Sequence, residues 1–196
     1  MLTRKSAHFS SILQLTLLIA LQAGCAPSSP RTNGDTPMTF TVTSTAFDAG
    51  QPIPQKYTGD GEDRSPPFSW SGVPEGSKLL ALICDDPDAP IAEPWVHWVI
   101  YNLPAELTSL SEGIAPIERL EDPAGALQGA NSWTSGQTIG YRGPAPPPGK
   151  PHRYYFRLYA LDAELDLEPG LSKNNLLEAM NGHILAEGQL MGTYQR

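Results

Sequence analysis

Cysteine and basic residues are scarce in this 196-residue chain, and each shortage excludes a class of protein. Its 2 cysteines are too few for a framework of disulfide bonds. The chain has 13 Lys and Arg against 21 Asp and Glu, a formal charge of −8, so we expect no nucleic-acid partner. Charged residues make up only 17% of the chain and hydrophobic residues 40%, which excludes disorder throughout its length.

The chain also lacks an apolar run of the roughly 20 residues that a transmembrane helix needs. Its N-terminal apolar run, 12–21, has the length of a signal-peptide core and follows Arg4 and Lys5. It ends in Leu21-Gln22-Ala23-Gly24-Cys25, which resembles a bacterial lipobox although Leu21 lies one position early. These features predict a lipoprotein signal peptide over 1–24 with lipidation at Cys25; the alternative is an ordinary signal peptide that contains a cysteine.

A polar segment separates this N-terminus from the predicted folded domain. Residues 26–37 contain no aliphatic side chain beyond Ala26, so 25–37 are predicted to be the lipidated cysteine and a flexible tether. The domain would then span 38–196, which is long enough for its own core. Because Ala26 and not Asp follows Cys25, we expect a lipid-anchored protein of the bacterial cell envelope, in the outer membrane and facing the periplasm.

Glycine and proline are abundant, with 18 and 20 residues, which favours turns and short strands over long helices. A helix is predicted over 173–181, because Ser172 can cap its start and Gly182 suits the position after its end. Alternating or continuous apolar patterns predict strands over 39–44, 78–84, 97–103, 153–161 and 185–194. Short strands separated by turns favour a mainly β fold of the sandwich type.

Polar side chains collect at the ends of these predicted strands. Asp86 and Asp88 follow the strand that ends at Cys84, and His97 opens the next strand. If the two strands are antiparallel neighbours, these three polar residues lie at the same end of the sheet.

A glycine- and proline-rich loop leads to a second histidine. Nine of the sixteen residues in 136–151 are Gly or Pro, and such a loop can expose backbone N–H groups to an anion. His152 follows directly and opens a strand on which Tyr154 shares its face. The loop, the histidines and the aspartates could together form one polar pocket.

From the residues alone, three interpretations of this cluster stay open. An anion pocket would use histidine as donor, aspartate to orient it, and loop N–H groups. A metal site could use Asp86, Asp88, His97 and His152, although the dense H-x-x-x-H spacing is absent. The carboxylates could also simply stabilise turns, for which Asp-Pro-Asp-Ala-Pro is well suited. A Ser-His-Asp hydrolase is disfavoured because G-x-S-x-G does not occur.

Three segments carry the motifs of a known family. They are 86–90 (Asp-Pro-Asp-Ala-Pro), 95–104 (Trp-Val-His-Trp-Val-Ile-Tyr-Asn-Leu-Pro) and 140–154, which runs from Gly-Tyr-Arg-Gly-Pro to Lys-Pro-His-Arg-Tyr. In this order and spacing they resemble the phosphatidylethanolamine-binding protein (PEBP) family, in particular its bacterial Raf-kinase-inhibitor-like branch. The resemblance covers 38–196, with a local expansion at 132–135.

The resemblance implies a PEBP-like β-sandwich of two sheets with one or two short helices and a small anion pocket. It implies a more structural role for Asp88 and a cis peptide bond before Pro90. The ligand-binding residues that it carries over are Asp86, His97, Gly143, Pro144, His152 and Tyr154.

The resemblance also implies a non-catalytic binding protein. Its ligand would be a phosphate-like or carboxylate anion, with phospholipid headgroups included, and it could inhibit or modulate another protein. We expect no catalytic residue, no metal and no cofactor. A protein target and a homodimer stay open, as does the alternative of a metal-dependent hydrolase that uses the same Asp/His cluster.

Overall fold

The computed structural model describes residues 38–196. The predicted signal peptide, the lipidation site Cys25 and the tether lie outside the described residues. Within 38–196, no helix has both the length and the apolar character needed to cross a membrane.

Strands dominate the described part of the chain, which also contains one α-helix and one short 3₁₀ helix at Gln55–Tyr57. The α-helix, α1, is Lys173–Met180. The strands are β1 (Met38–Thr39), β2 (Thr41–Thr43), β3 (Phe68–Ser71), β4 (Leu79–Asp86), β5 (Trp95–Pro104), β6 (Ser109–Leu110), β7 (Leu127–Gln128), β8 (His152–Leu161) and β9 (Ile184–Tyr194).

The strands form two sheets, as the sandwich prediction requires. The larger sheet has the order β1-β9-β8-β4-β5-β7, and the smaller has the order β2-β3-β6. β1 pairs with β9 in parallel, and the other pairs are antiparallel. The predicted mainly β fold of two sheets is thus confirmed.

β4 runs through the centre of the larger sheet because both of its faces are apolar. Leu80, Leu82 and Cys84 pack in the principal core, which also includes residues of the smaller sheet. Ala81 and Ile83 point to the opposite face and belong to a second core. The continuous apolar run in the sequence therefore corresponds to a strand buried on both sides.

Helix α1 covers this second face of the larger sheet. Its apolar residues Leu176 and Met180 are fully buried there. The Ser172 side chain accepts a hydrogen bond from the Asn175 N–H at 3.2 Å, which caps the helix as predicted. Gly182 follows the helix with a positive φ of 82°, a conformation that glycine adopts without strain.

Four predicted strands are present as β4, β5, β8 and β9, with bounds that differ by at most two residues. The single strand predicted over 39–44 is wrong: it is two short strands, β1 in the larger sheet and β2 in the smaller. Three further strands were not predicted. β3, β6 and β7 are short, and their sequences alternate too briefly to be distinguished from loops. The cis bond expected before Pro90 is wrong: within 38–196 the cis peptide bond is Asp122–Pro123.

Antiparallel pairing brings the polar strand ends together. β4 ends at Asp86 opposite Trp95 at the start of β5, and β8 begins at His152 opposite Tyr194 at the end of β9. Met38 pairs with Ala186, near the other end of β9. The β9 segment between positions 186 and 194 spans about 26 Å at about 3.3 Å per residue. The polar end and residue 38 therefore lie at opposite ends of the larger sheet.

Candidate functional site

A cavity of about 320 Å³ opens at the polar end of the larger sheet. Asp86, His97, His152 and Tyr154 line it and are called the polar cluster below. The remaining lining residues are apolar or aromatic: Ala89, Pro90, Ile91, Trp95, Trp133, Ala145, Pro146 and Pro147. The cavity therefore combines a few polar groups with an apolar wall, which is the usual character of a small-molecule site.

Asp86 is the fixed centre of the polar cluster. Its Oδ2 lies 2.7 Å from His152 Nδ1, and its Oδ1 accepts the Asp88 N–H at 2.8 Å. The side chain is only 5% exposed, whereas that of His152 is 13% exposed. Both carboxylate oxygens therefore have a protein partner, and the Asp86 interaction sets the orientation of the His152 ring.

His97 is a neutral hydrogen-bond acceptor and not a charged donor. Its Nδ1 lies 2.6 Å from the Arg142 carbonyl oxygen, which can only accept, so Nδ1 carries the proton. Burial lowers the pKa of His97 to about 4, against smaller opposing effects of the Arg142 carbonyl and Asp86. At neutral pH its Nε2 is therefore unprotonated and can only accept a hydrogen bond. A histidine that donates to a ligand in this cavity must then be His152.

The Tyr154 hydroxyl is a buried donor without a hydrogen-bond partner among residues 38–196. The residue is fully buried, and its ring packs edge-on against His97 with centroids 5.1 Å apart. Burial, and next the charge and proximity of the Asp86 carboxylate, raise the pKa of Tyr154, so the hydroxyl keeps its proton; Asp86 approaches this hydroxyl without forming a hydrogen bond of good geometry. Buried hydroxyl groups nearly always have partners, so this exception is informative.

The glycine-rich loop contributes differently from the prediction. Gly143 and Pro144 are buried but do not line the cavity; Ala145, Pro146 and Pro147 do. The Gly143 N–H donates to Asp63 Oδ1 at 2.6 Å. Glycine is needed at 143 because a Cβ there would lie 2.3 Å from the Tyr57 carbonyl oxygen.

Other loop amides are also engaged inside the fold. The Arg142 N–H donates to the His97 carbonyl at 2.9 Å, and the Gly140 N–H donates to the Gly129 carbonyl at 3.3 Å. Since these groups hold the loop in place, they are not directed at a ligand as the sequence suggested.

Asp88 has the structural role that the resemblance implied. Its carboxylate accepts from Arg153 Nη2 at 2.7 Å, from Nε at 2.8 Å and from the Arg153 backbone N–H at 2.9 Å. The Arg153 guanidinium is the main cause that lowers the pKa of Asp88 to about 2. In the described range, no three His, Cys, Asp or Glu side chains are grouped so as to hold a metal ion.

Two tryptophans of the cavity wall were missed as site residues. Trp95 and Trp133 pack edge-on with centroids 5.3 Å apart, and Trp133 also contacts the His97 ring at 5.1 Å. The Arg142 guanidinium lies 4.5 Å from the Trp133 ring centroid. Trp95 lies in the family motif 95–104 and Trp133 in the local expansion at 132–135, but a tryptophan in a sequence more often indicates core packing than contact with a ligand.

Comparison with protein families gives a match over nearly the whole described domain. The model for phosphatidylethanolamine-binding protein matches residues 43–195. A UPF0098 protein of Methanothermobacter thermautotrophicus is 58% identical over 151 residues, which cover 77% of this chain and 95% of that protein. A UPF0098 protein of Chlamydia muridarum is 48% identical over 159 residues, covering 79% of this chain and 98% of the relative.

Solved structures agree with this similarity. A PEBP homologue from Chlamydia trachomatis is 45% identical, with a TM-score of 0.71 and coverage of 81% of this chain and 98% of that one. Escherichia coli YbcL, described as a member of the mammalian PEBP family, is 32% identical with a TM-score of 0.73. It covers 80% of this chain, and this chain covers 98% of it.

Proposed function

Because this chain belongs to the phosphatidylethanolamine-binding protein family, we propose that its cavity binds a small phosphate-like or carboxylate anion, free or as a phospholipid headgroup. The protein acts by binding and not by catalysis. The observation that carries this proposal is the Tyr154 hydroxyl, which is buried at the cavity without a hydrogen-bond partner among the described residues. A ligand oxygen would supply the missing acceptor.

The polar cluster offers complementary groups to such a ligand. Tyr154 donates one hydrogen bond, and the protonated form of His152 can donate another from Nε2 while its Nδ1–H donates to Asp86. Neutral His97 can accept a hydrogen bond at Nε2 from a protonated oxygen of a phosphate monoester or from a water molecule. When His152 is protonated, its charge offsets that of Asp86, so the anion does not face an isolated carboxylate.

The apolar wall suits a ligand that continues beyond its charged group. Trp95, Trp133 and Ile91 line the same cavity as the polar cluster, and Ile91 is 52% exposed. Such a wall can hold the carbon atoms next to a phosphate or carboxylate. We therefore expect an organic phosphate or carboxylate to bind more tightly than inorganic phosphate.

The experiment is calorimetric titration with inorganic phosphate, phosphoethanolamine and a short-chain phosphatidylethanolamine. Tyr154→Phe should weaken binding about tenfold to a hundredfold, because a hydrogen bond to a charged group contributes about 1.5–3 kcal/mol. Tyr155→Phe is the matched control, since Tyr155 lies next to it outside the cavity lining and should leave affinity unchanged. If the two variants bind alike, or if wild type binds none of the probes, the proposed pocket is wrong.

The alternative of a metal-dependent hydrolase is tested with the same protein. Purified wild type is dialysed against zinc, assayed for bound metal, and incubated with phosphate and carboxylate esters. We expect no turnover that depends on His97 or His152. Stoichiometric zinc together with hydrolysis abolished by His152→Gln would contradict a binding function.

Cys25 is part of the proposal as the membrane anchor of a cell-envelope protein. The comparison of phosphoethanolamine with the short-chain lipid then decides between a free and a lipid-borne ligand.

A further inference from the structure

We propose that Arg196 is a positioning residue for the cavity: bound to Asp60, its guanidinium holds the Ala145–Pro146 segment of the wall in place and thereby sets ligand affinity. The effect on affinity rests on the proposed function. The effect on the wall does not require a ligand and can be measured separately.

The guanidinium of Arg196 contacts two parts of the chain at once. Its Nε donates to Asp60 Oδ2 at 2.8 Å and to Oδ1 at 3.0 Å, and Nη2 also pairs with Oδ1. Its Nη1 lies 3.3 Å from the carbonyl oxygens of both Ala145 and Pro146. The planar fork of arginine can make these contacts together, whereas a single ammonium group cannot.

Asp60 is itself held from a second direction. The Tyr194 hydroxyl, at the end of β9, donates to Asp60 Oδ2 at 2.9 Å. The carboxylate therefore fixes the guanidinium with respect to the larger sheet. Since this pair is 27–35% exposed, it acts mainly through the geometry of its hydrogen bonds and less through charge.

The segment that Arg196 holds needs this support. Proline has no backbone N–H, so Pro146, Pro147 and Pro148 cannot donate a backbone hydrogen bond to a neighbouring strand. The carbonyl oxygens remain as attachment points, and Arg196 binds two of them. A neighbouring contact, from Gln195 Nε2 to the Gly149 carbonyl at 2.6 Å, holds the end of the same loop.

The position of the Ala145–Pro146 segment affects how closely the cavity wall can contact a ligand. Ala145 and Pro146 line the same cavity as the polar cluster and Trp95. Releasing two carbonyl contacts lets this wall move away from the ligand. A wall displaced from its bound position lowers affinity without removing any group of the polar cluster.

The test compares Arg196→Gln, Asp60→Asn and the double variant with wild type. Arg119→Gln is the matched control, because Arg119 is an exposed arginine with a carboxylate partner, Glu168, and does not line the cavity. Hydrogen exchange of the ligand-free proteins is followed by mass spectrometry over residues 142–150, with α1 as the internal reference. Phosphoethanolamine affinity is then measured by calorimetry.

Either single variant should speed exchange in 142–150 and leave α1 unchanged, and both should weaken phosphoethanolamine binding about threefold to tenfold. The double variant should match the single ones, because the two residues act through one contact. Exchange in 142–150 that stays at the wild-type rate would overturn the proposal, as would a uniform rise that includes α1 or an equal effect of Arg119→Gln. If wild type binds no probe while the exchange result holds, the proposed function fails and the structural role of Arg196 stands.

Discussion

Replacing Tyr154 by Phe should stabilise the ligand-free protein. The hydroxyl is buried without a hydrogen-bond partner in the described part of the chain, and a buried polar group left unsatisfied costs about 1–3 kcal/mol. Phenylalanine keeps the ring that packs 5.1 Å from His97 and removes only the hydroxyl. We expect the free energy of unfolding to rise by about 1 kcal/mol, a shift of about 2–4 °C in Tm for a domain of this size.

Tyr141 provides the opposite control inside the same core. Its buried hydroxyl donates to the Tyr57 carbonyl oxygen at 2.6 Å, so Tyr141→Phe leaves that carbonyl without its donor. This variant should lose about 1–3 kcal/mol. Two buried tyrosines, changed in the same way, should therefore shift stability in opposite directions.

The assay is urea unfolding of both variants, repeated in saturating phosphoethanolamine. Phosphoethanolamine at 100 times its Kd for wild type stabilises wild type by about 2.7 kcal/mol, whereas a variant that binds at least tenfold more weakly gains at most about 1.4 kcal/mol. The lead of about 1 kcal/mol of Tyr154→Phe should therefore disappear. If both variants lose stability by similar amounts without ligand, the Tyr154 hydroxyl is already satisfied. The reasoning that connects it to a ligand would then be refuted.

Three further predictions concern pH, a buried ion network and targeting. The pKa of His97 in the folded protein is about 4, below its ordinary value, so the unfolded chain takes up a proton first as the pH falls, and the free energy of unfolding should decrease by up to about 3 kcal/mol between pH 6.5 and 4. His97→Gln should flatten this pH dependence in urea unfolding, and an unchanged dependence would contradict the prediction. Asp85 is buried and pairs with Arg157 at 2.8 Å and with Lys173, so Asp85→Asn should lower the free energy of unfolding in urea by about 2–4 kcal/mol. A decrease of less than about 0.5 kcal/mol would show that these ion pairs contribute little to stability. Cys25→Ser should move the protein from the membrane fraction to the soluble fraction, and continued membrane association of the variant would exclude acylation at that position.

Several parts of the fold follow from local patterns in the sequence. The continuous apolar run before Asp85 predicts a strand buried on both faces, and β4 is that strand. The Ser172 cap and Gly182 define α1 to within one residue, because capping depends only on neighbouring atoms. The proximity of Asp86 and His97 also follows from the sequence once their strands are taken as antiparallel neighbours.

The chemical state of the cluster depends on contacts that no local pattern encodes. His97 is neutral because the fold buries it and places its Nδ1 against the carbonyl of Arg142, a residue 45 positions away. The Tyr154 hydroxyl has no partner among residues 38–196, although its sequence neighbours do not distinguish it from an ordinary core tyrosine. Burial and hydrogen bonding depend on every element packed around a group, so the tertiary structure alone decides them.

The loop shows the same division between sequence and tertiary structure. Its glycines and prolines identify residues 136–151 as an irregular segment beside the polar strand ends, and that much is local chemistry. Which residues face the cavity depends on distant contacts: Asp63 binds the Gly143 N–H, and Arg196 binds the carbonyls of Ala145 and Pro146. The sequence by itself determined the four long strands of the larger sheet, the helix and the polar residues at one end of the sheet. Only the packing of segments far apart in the chain decided which groups face the cavity and which of them carry protons.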